Sequence, residues 1–103
     1  MEKFDYRQIN SIFHSRIRLA VVSALVSGQL DFQALRKLTG ATEGNLSTHL
    51  RKLEEAGFIT VKKEFLGRRP RTSYGLTESG FTGFQSYVET LALFLDAGKK
   101  ENT

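Results

Sequence analysis

The chain has no cysteine among its 103 residues, which excludes disulfides, thiolate metal sites and cysteine nucleophiles. Its only proline, Pro70, falls close to Gly67 and marks a turn rather than a linker. No apolar run approaches the roughly 20 residues that a membrane helix needs. Met1-Glu2-Lys3-Phe4-Asp5 carries charge where a signal peptide needs an apolar stretch. The expectation is a soluble, cytoplasmic protein with no membrane partner. Also missing are a glycine-rich phosphate loop, a metal-ligand cluster and paired carboxylates on one predicted face. The two histidines, His14 and His49, stand apart in the sequence. No catalytic residue, metal or cofactor is assigned, and an enzyme is not expected.

Acid is scarce in one place in particular. Phe58 to Gly75 contains Lys62, Lys63, Arg68, Arg69 and Arg71 against the single Glu64, which accounts for the whole net charge of +4. The rest of the chain holds ten basic and ten acidic residues and is neutral. A basic patch confined to one segment is the electrostatic footprint of a nucleic-acid binder. The length suits one domain, residues 1–103, with a modest core.

The most informative stretch runs from Thr42 to Gly57. Thr42 is suited to an N-cap, because its hydroxyl can accept from the free amides of a first helical turn. Glu43 puts a carboxylate at the positive end of the helix dipole, and Gly57 suits the left-handed residue that ends a helix. Leu46, Leu50 and Leu53 recur at i, i+4 and i+7 and form a buried stripe. The opposite face carries Gly44, Asn45, Ser47, Thr48, Arg51 and Lys52. Short hydrogen-bonding side chains with cations behind them suit a helix that reads base edges while holding phosphates. His49 lies between the two faces, placed either to contact the following hairpin or to touch DNA.

The flanking segments supply the frame. Phe4 to Phe13 repeats apolar residues at near-helical spacing. A clearer helix follows His14-Ser15, with Ile17, Ala20, Val21, Ala24 and Leu25 inside, and Gly28 ends it. His14 itself reads as a cap or core-edge residue, since no second ligand stands at metal-binding spacing. Leu30 to Phe32 can pair briefly as a strand, and Asp31 can cap a helix over Phe32 to Leu38 that buries Phe32, Leu35 and Leu38. Thr39-Gly40-Ala41 is a tight turn into the helix at Thr42. Two short helices across such a glycine-containing turn make a helix-turn-helix, whose second helix enters the major groove. After Gly57 the period changes to that of strands. Phe58 to Phe65 and Arg71 to Leu76 form a hairpin about a turn at Leu66 to Pro70, with Arg68, Arg69 and Arg71 at its tip. A last helix, Thr77 to about Ala97, has Thr77 as its cap. Lys99 to Thr103 is read as a polar tail.

The run Leu46 to Ile59 resembles the recognition helix and first wing strand of prokaryotic winged-helix regulators of the MarR/ArsR type. Arg71-Thr72-Ser73-Tyr74-Gly75-Leu76-Thr77-Glu78-Ser79-Gly80 resembles their second wing strand and the start of the next helix. The similarity spans roughly Ser15 to Gly80 and is nearest to short single-domain members with one added helix. The metal-sensing branch uses a cysteine-containing helix motif that this chain lacks, so metal sensing is not carried over.

The expected fold class is mostly α with a small β-hairpin, a winged helix-turn-helix core over residues 14–76 and a C-terminal dimerisation helix over 77–97. Phe81, Phe84, Val88, Leu91 and Leu95 stripe that helix, and Tyr87, Leu93 and Phe94 widen the stripe beyond what one small domain covers. A second copy is the expected partner, meeting Phe4, Ile9, Phe81, Phe84, Tyr87, Val88, Leu91, Phe94 and Leu95. The expected function is sequence-specific binding of double-stranded DNA by a homodimeric transcriptional regulator. Asn45, Ser47, Thr48, His49, Arg51 and Lys52 come from the recognition helix, and Lys62, Lys63, Arg68, Arg69 and Arg71 from the wing. The alternative is a winged-helix protein-interaction module whose basic wing meets an acidic protein. A small-molecule effector is compatible with the chain, but nothing in the sequence indicates one.

Overall fold

A computed structural model describes residues 10–101, with side chains through Asp96. Four helices begin on capping side chains, each satisfying an amide that the helix itself cannot. Ser15 Oγ accepts from Arg18 N at 3.2 Å and opens α1, Arg16–Leu25. Asp31 Oδ1 accepts from Ala34 N at 2.8 Å and opens α2, Phe32–Thr39. Thr42 Oγ1 accepts from Asn45 N at 3.2 Å and opens α3, Glu43–Glu55. Thr77 Oγ1 accepts from Gly80 N at 2.9 Å and opens α4, Glu78–Glu101, which continues past the expected end near Ala97. Each such cap contributes about 1 kcal/mol. The Thr77 hydroxyl also donates to Gly57 O at 2.7 Å, so the start of α4 is tied to the end of α3. Gly40 (φ +67°) and Gly57 (φ +80°) supply the left-handed residues that close α2 and turn the chain out of α3.

The strands are β1, Leu30–Asp31, β2, Ile59–Leu66, and β3, Arg69–Leu76, ordered β1-β3-β2 and antiparallel throughout. The brief strand at Leu30 thus makes the expected hairpin three-stranded, by pairing with Tyr74 and Ser73. The turn is tighter than Leu66 to Pro70. Only Gly67 and Arg68 lie between the strands, and Gly67 at φ +67° is the first central residue, as in a type II′ hairpin. Pro70 continues β3 opposite Phe65, beyond the reach of β1, on an edge where a missing N–H costs no ladder bond. Arg71 therefore sits inside β3, opposite Glu64, and not at the tip.

The core lies where α1 meets α2, α3, β3 and α4. The buried residues of α1 fall within one arc of about 100°, on which Val22 lies with the expected Val21 and Leu25. Leu46, Leu50 and Leu53 of α3 are all buried. Leu38, expected inside, is 53% exposed in the last turn of α2. Phe13, in a 3-10 turn over Ser11–Phe13, is fully buried at the centre of an aromatic cluster. Its ring stands 5.4 Å from Phe58, 5.9 Å from Phe84 and 5.1 Å from Tyr87. Gly80 and Gly83 let α4 approach Phe58 closely; a Cβ on Gly80 would collide with the Phe58 carbonyl oxygen.

Candidate nucleic-acid interface

The leucine stripe of α3 faces inward, so its opposite side is turned out. Asn45, Ser47, Arg51 and Lys52 are exposed there, while Thr48 and His49 are half-buried. The Thr48 hydroxyl donates to Gly44 O at 3.0 Å, which leaves its lone pairs and methyl group facing outward contacts. His49 meets neither of its expected partners through Nδ1. That nitrogen lies 2.9 Å from Arg18 Nη1 of α1, and Arg18 Nε donates to the Ile12 carbonyl. A guanidinium only donates, so Nδ1 accepts and the neutral ring carries its proton on Nε2. Burial, and then the nearby cations of Arg18 and Lys52, hold the imidazole pKa below 6.5.

Strand periodicity decides which wing residues share the α3 side. Successive side chains alternate between faces, and cross-strand partners share one. Ile59, Val61, Lys63 and Phe65 therefore line one face of β2, with Tyr74, Thr72 and Pro70 beside them from β3. This face meets α3 in a cavity of about 230 Å³ lined by Ser47, Leu50, Arg51, Glu54, Val61, Lys63 and Tyr74. Burial first, and Glu54 second, raise the Tyr74 pKa above 10.0, so the phenol is uncharged at neutral pH.

The other wing cations are distributed differently. Lys62 and Arg71 lie on the opposite face, where Lys62 is 3.7 Å from Glu64 and Arg71 is 3.6 Å from Asp31. Arg69 shares that face nearer the tip, and Arg68 occupies the turn. Exposed pairs of this kind hold their partners weakly, so both cations can exchange a carboxylate for another anion. The structure thus brings Ser47, Arg51 and Lys63 together and sets Lys62, Arg69 and Arg71 behind them. Sequence reasoning missed Arg18, which no local pattern links to a histidine 31 positions away, and Tyr74, which strand register alone places in the cavity.

On α4, Phe81, Val88, Leu91 and Leu95 are exposed by 42–60%. Tyr87, expected at an interface between copies, is instead buried against Phe13 in the chain's own core. Phe84 and Phe94 are half-buried. Phe4 and Ile9 lie outside the described residues. No helix among the described residues is long and apolar enough to cross a membrane.

The family described as winged helix DNA-binding domain matches residues 17–95. An uncharacterised protein of Methanocaldococcus jannaschii is 35% identical over 78 residues, which cover 75% of this chain and 85% of that protein. The solved structure of a transcriptional regulator homologue from Pyrococcus horikoshii OT3 is similar with a TM-score of 0.78 at 27% identity, covering 85% of this chain and 88% of that one. A transcriptional regulator of the MarR family from Enterococcus faecalis V583 shares the fold with a TM-score of 0.74 at 22% identity, covering 99% of this chain and 94% of that one.

Proposed function

The chain belongs to the winged helix DNA-binding domain family, and from that premise we propose that it is a homodimeric transcriptional regulator that binds double-stranded DNA at specific sequences. Residues 14–76 read DNA in this proposal, and the helix that follows joins two copies. The exposed polar side of α3, sharing a cavity with Lys63 of the wing, carries the reading. An α-helix fits the major groove, where asparagine can pair with adenine and arginine with guanine. Asn45, Ser47, Thr48 and Arg51 take that role. Lys52, Lys63 and the arginines of the wing take phosphates or the adjacent minor groove, contacts that position the protein without naming bases. His49, with Nδ1 engaged by Arg18, contributes chiefly by holding α3 in place. Two copies related by a two-fold axis place their recognition helices on half-sites one turn of duplex apart, about 34 Å.

Fluorescence anisotropy with random and selected duplexes, repeated over a range of salt, tests this reading. Replacing Arg68 and Arg69 together by alanine is expected to weaken binding to all sequences alike. It should also reduce the slope of log affinity against log salt by about 1.8, the share of two lost phosphate contacts. Arg51→Ala should instead change which base is preferred at one position, by about 1–3 kcal/mol. Salt-insensitive or absent duplex binding by the unaltered chain would leave the scaffold to the protein-interaction alternative.

A further inference from the structure

The wing ends on apolar side chains that its own domain does not use. Phe65 is 72% exposed and Leu66 55% exposed, immediately before the turn at Gly67-Arg68. Phe65 lies on the same face as Lys63, two residues nearer the tip and about 7 Å further out. Lys63 itself lines the cavity with Ser47 and Arg51, so Phe65 extends the face on which the proposed reading residues stand. Across the hairpin its partner is Pro70, which places a second apolar ring beside it. Lys63 precedes this pair on the same face and Arg68 follows it in the turn, while Arg69 projects from the opposite face; neither Arg68 nor Arg69 has an acidic partner among the described residues.

From this juxtaposition we propose that Phe65, backed by Pro70, is a wedge that enters the minor groove flanking the bound site and partly unstacks one base step. The inference rests on the DNA-binding reading above and adds to it a specificity determinant that makes no hydrogen bond. An apolar ring between cations suits a polyanion whose interior is a stack of flat apolar faces. The cations hold the backbone on either side, and the ring meets the bases that a bend exposes. Pyrimidine–purine steps unstack most readily, whereas A-tracts are stiff. The wing therefore selects for deformability at a step where it reads no base edge.

The test uses duplexes recovered by the unaltered protein from a random-sequence pool, labelled with 2-aminopurine at each flanking step in turn and with a fluorophore pair at the ends. The unaltered protein is expected to raise 2-aminopurine emission at one flanking step and to bend the duplex by an angle of about 20–90°. F65S should abolish the rise in emission and reduce the bend, with the salt slope and the thermal melt of the protein unchanged. It should also erase a preference of about fivefold for a TA or CA step over an A-tract at that position. F65L, which keeps an apolar wedge, should retain part of both signals. Equal emission and bending in the unaltered protein and F65S would overturn the wedge while leaving DNA binding intact. A smaller particle for F65S in the absence of DNA would reassign the tip to a protein contact and overturn it too. If the pool yields no bound duplex, the DNA-binding reading fails first and the wedge with it.

Discussion

Arg18 joins three parts of the molecule through one guanidinium. Its Nε bonds the Ile12 carbonyl beside the buried Phe13, and its Nη1 bonds His49 on α3. The position of α3 is thereby fixed to the turn that anchors α4. The link holds only while the imidazole is neutral, because protonation removes the acceptor and sets two cations together. His49 has a folded pKa below 6.5, so the unfolded chain binds more protons in the interval just under that value. Its contribution to stability is complete above pH 6.5 and is lost as pH falls through the lowered value. Urea titrations at pH 7.5 and at successively lower pH should show that loss. His49→Gln, which can accept from Arg18 but does not titrate, should show a flatter profile. Identical profiles would mean that the pair does not govern acid sensitivity. This coupling was not legible in the sequence, where Arg18 stands among polar residues of α1 with nothing to name a distant partner.

The elements were far more legible, because their ends are written locally. Asp31, Thr42 and Thr77 cap the helices they were expected to cap, and Ser15 is the member of the His14-Ser15 pair that caps α1. Gly40 and Gly57 have the positive φ angles that their places demand. On sequence alone the wing turn extends to Pro70, because proline looks like a breaker unless the free edge of its strand is known. That wider turn puts Arg71 at the tip, whereas in the fold it lies within β3 and pairs with Asp31. Side-chain faces of the wing needed the register, which no single strand contains. Two glycines separate a packing role from mere helix content. Gly80→Ala drives a methyl group into the Phe58 carbonyl oxygen and should cost about 1–3 kcal/mol or more by overpacking. Gly44→Ala adds a methyl group in open space within α3 and should stabilise the chain by about 0.5–1 kcal/mol. Thermal or urea unfolding that gave both substitutions the same sign would contradict the docking of α4 on Phe58.

For the whole molecule, the Cα radius of gyration is 16.3 Å, against about 13 Å for a spherical domain of this length. The first turns of α4 pack on Phe58 and Phe13, while Leu91, Leu93 and Leu95 further along it stay exposed. At about 100° per residue, Phe81, Val88, Leu91 and Leu95 fall on one arc beside the buried Tyr87. Such a stripe is the proposed seam between two copies. Light scattering should report twice the mass of one chain, and the Val88→Glu, Leu91→Glu double substitution should halve it while weakening DNA binding through loss of the second half-site. An unchanged mass in that variant would place the seam elsewhere. The apolar stripe of α4 was visible in the sequence, but the split between core and surface was not, because it depends on Phe13, which covers Tyr87 and leaves Leu91 exposed. The clamp at Gly80 also makes α4 a lever. A rotation of about 10° there swings the far end of a helix roughly 36 Å long by about 6 Å. In the proposed dimer, a tilt that small would put the two α3 helices out of step with the pitch of a duplex.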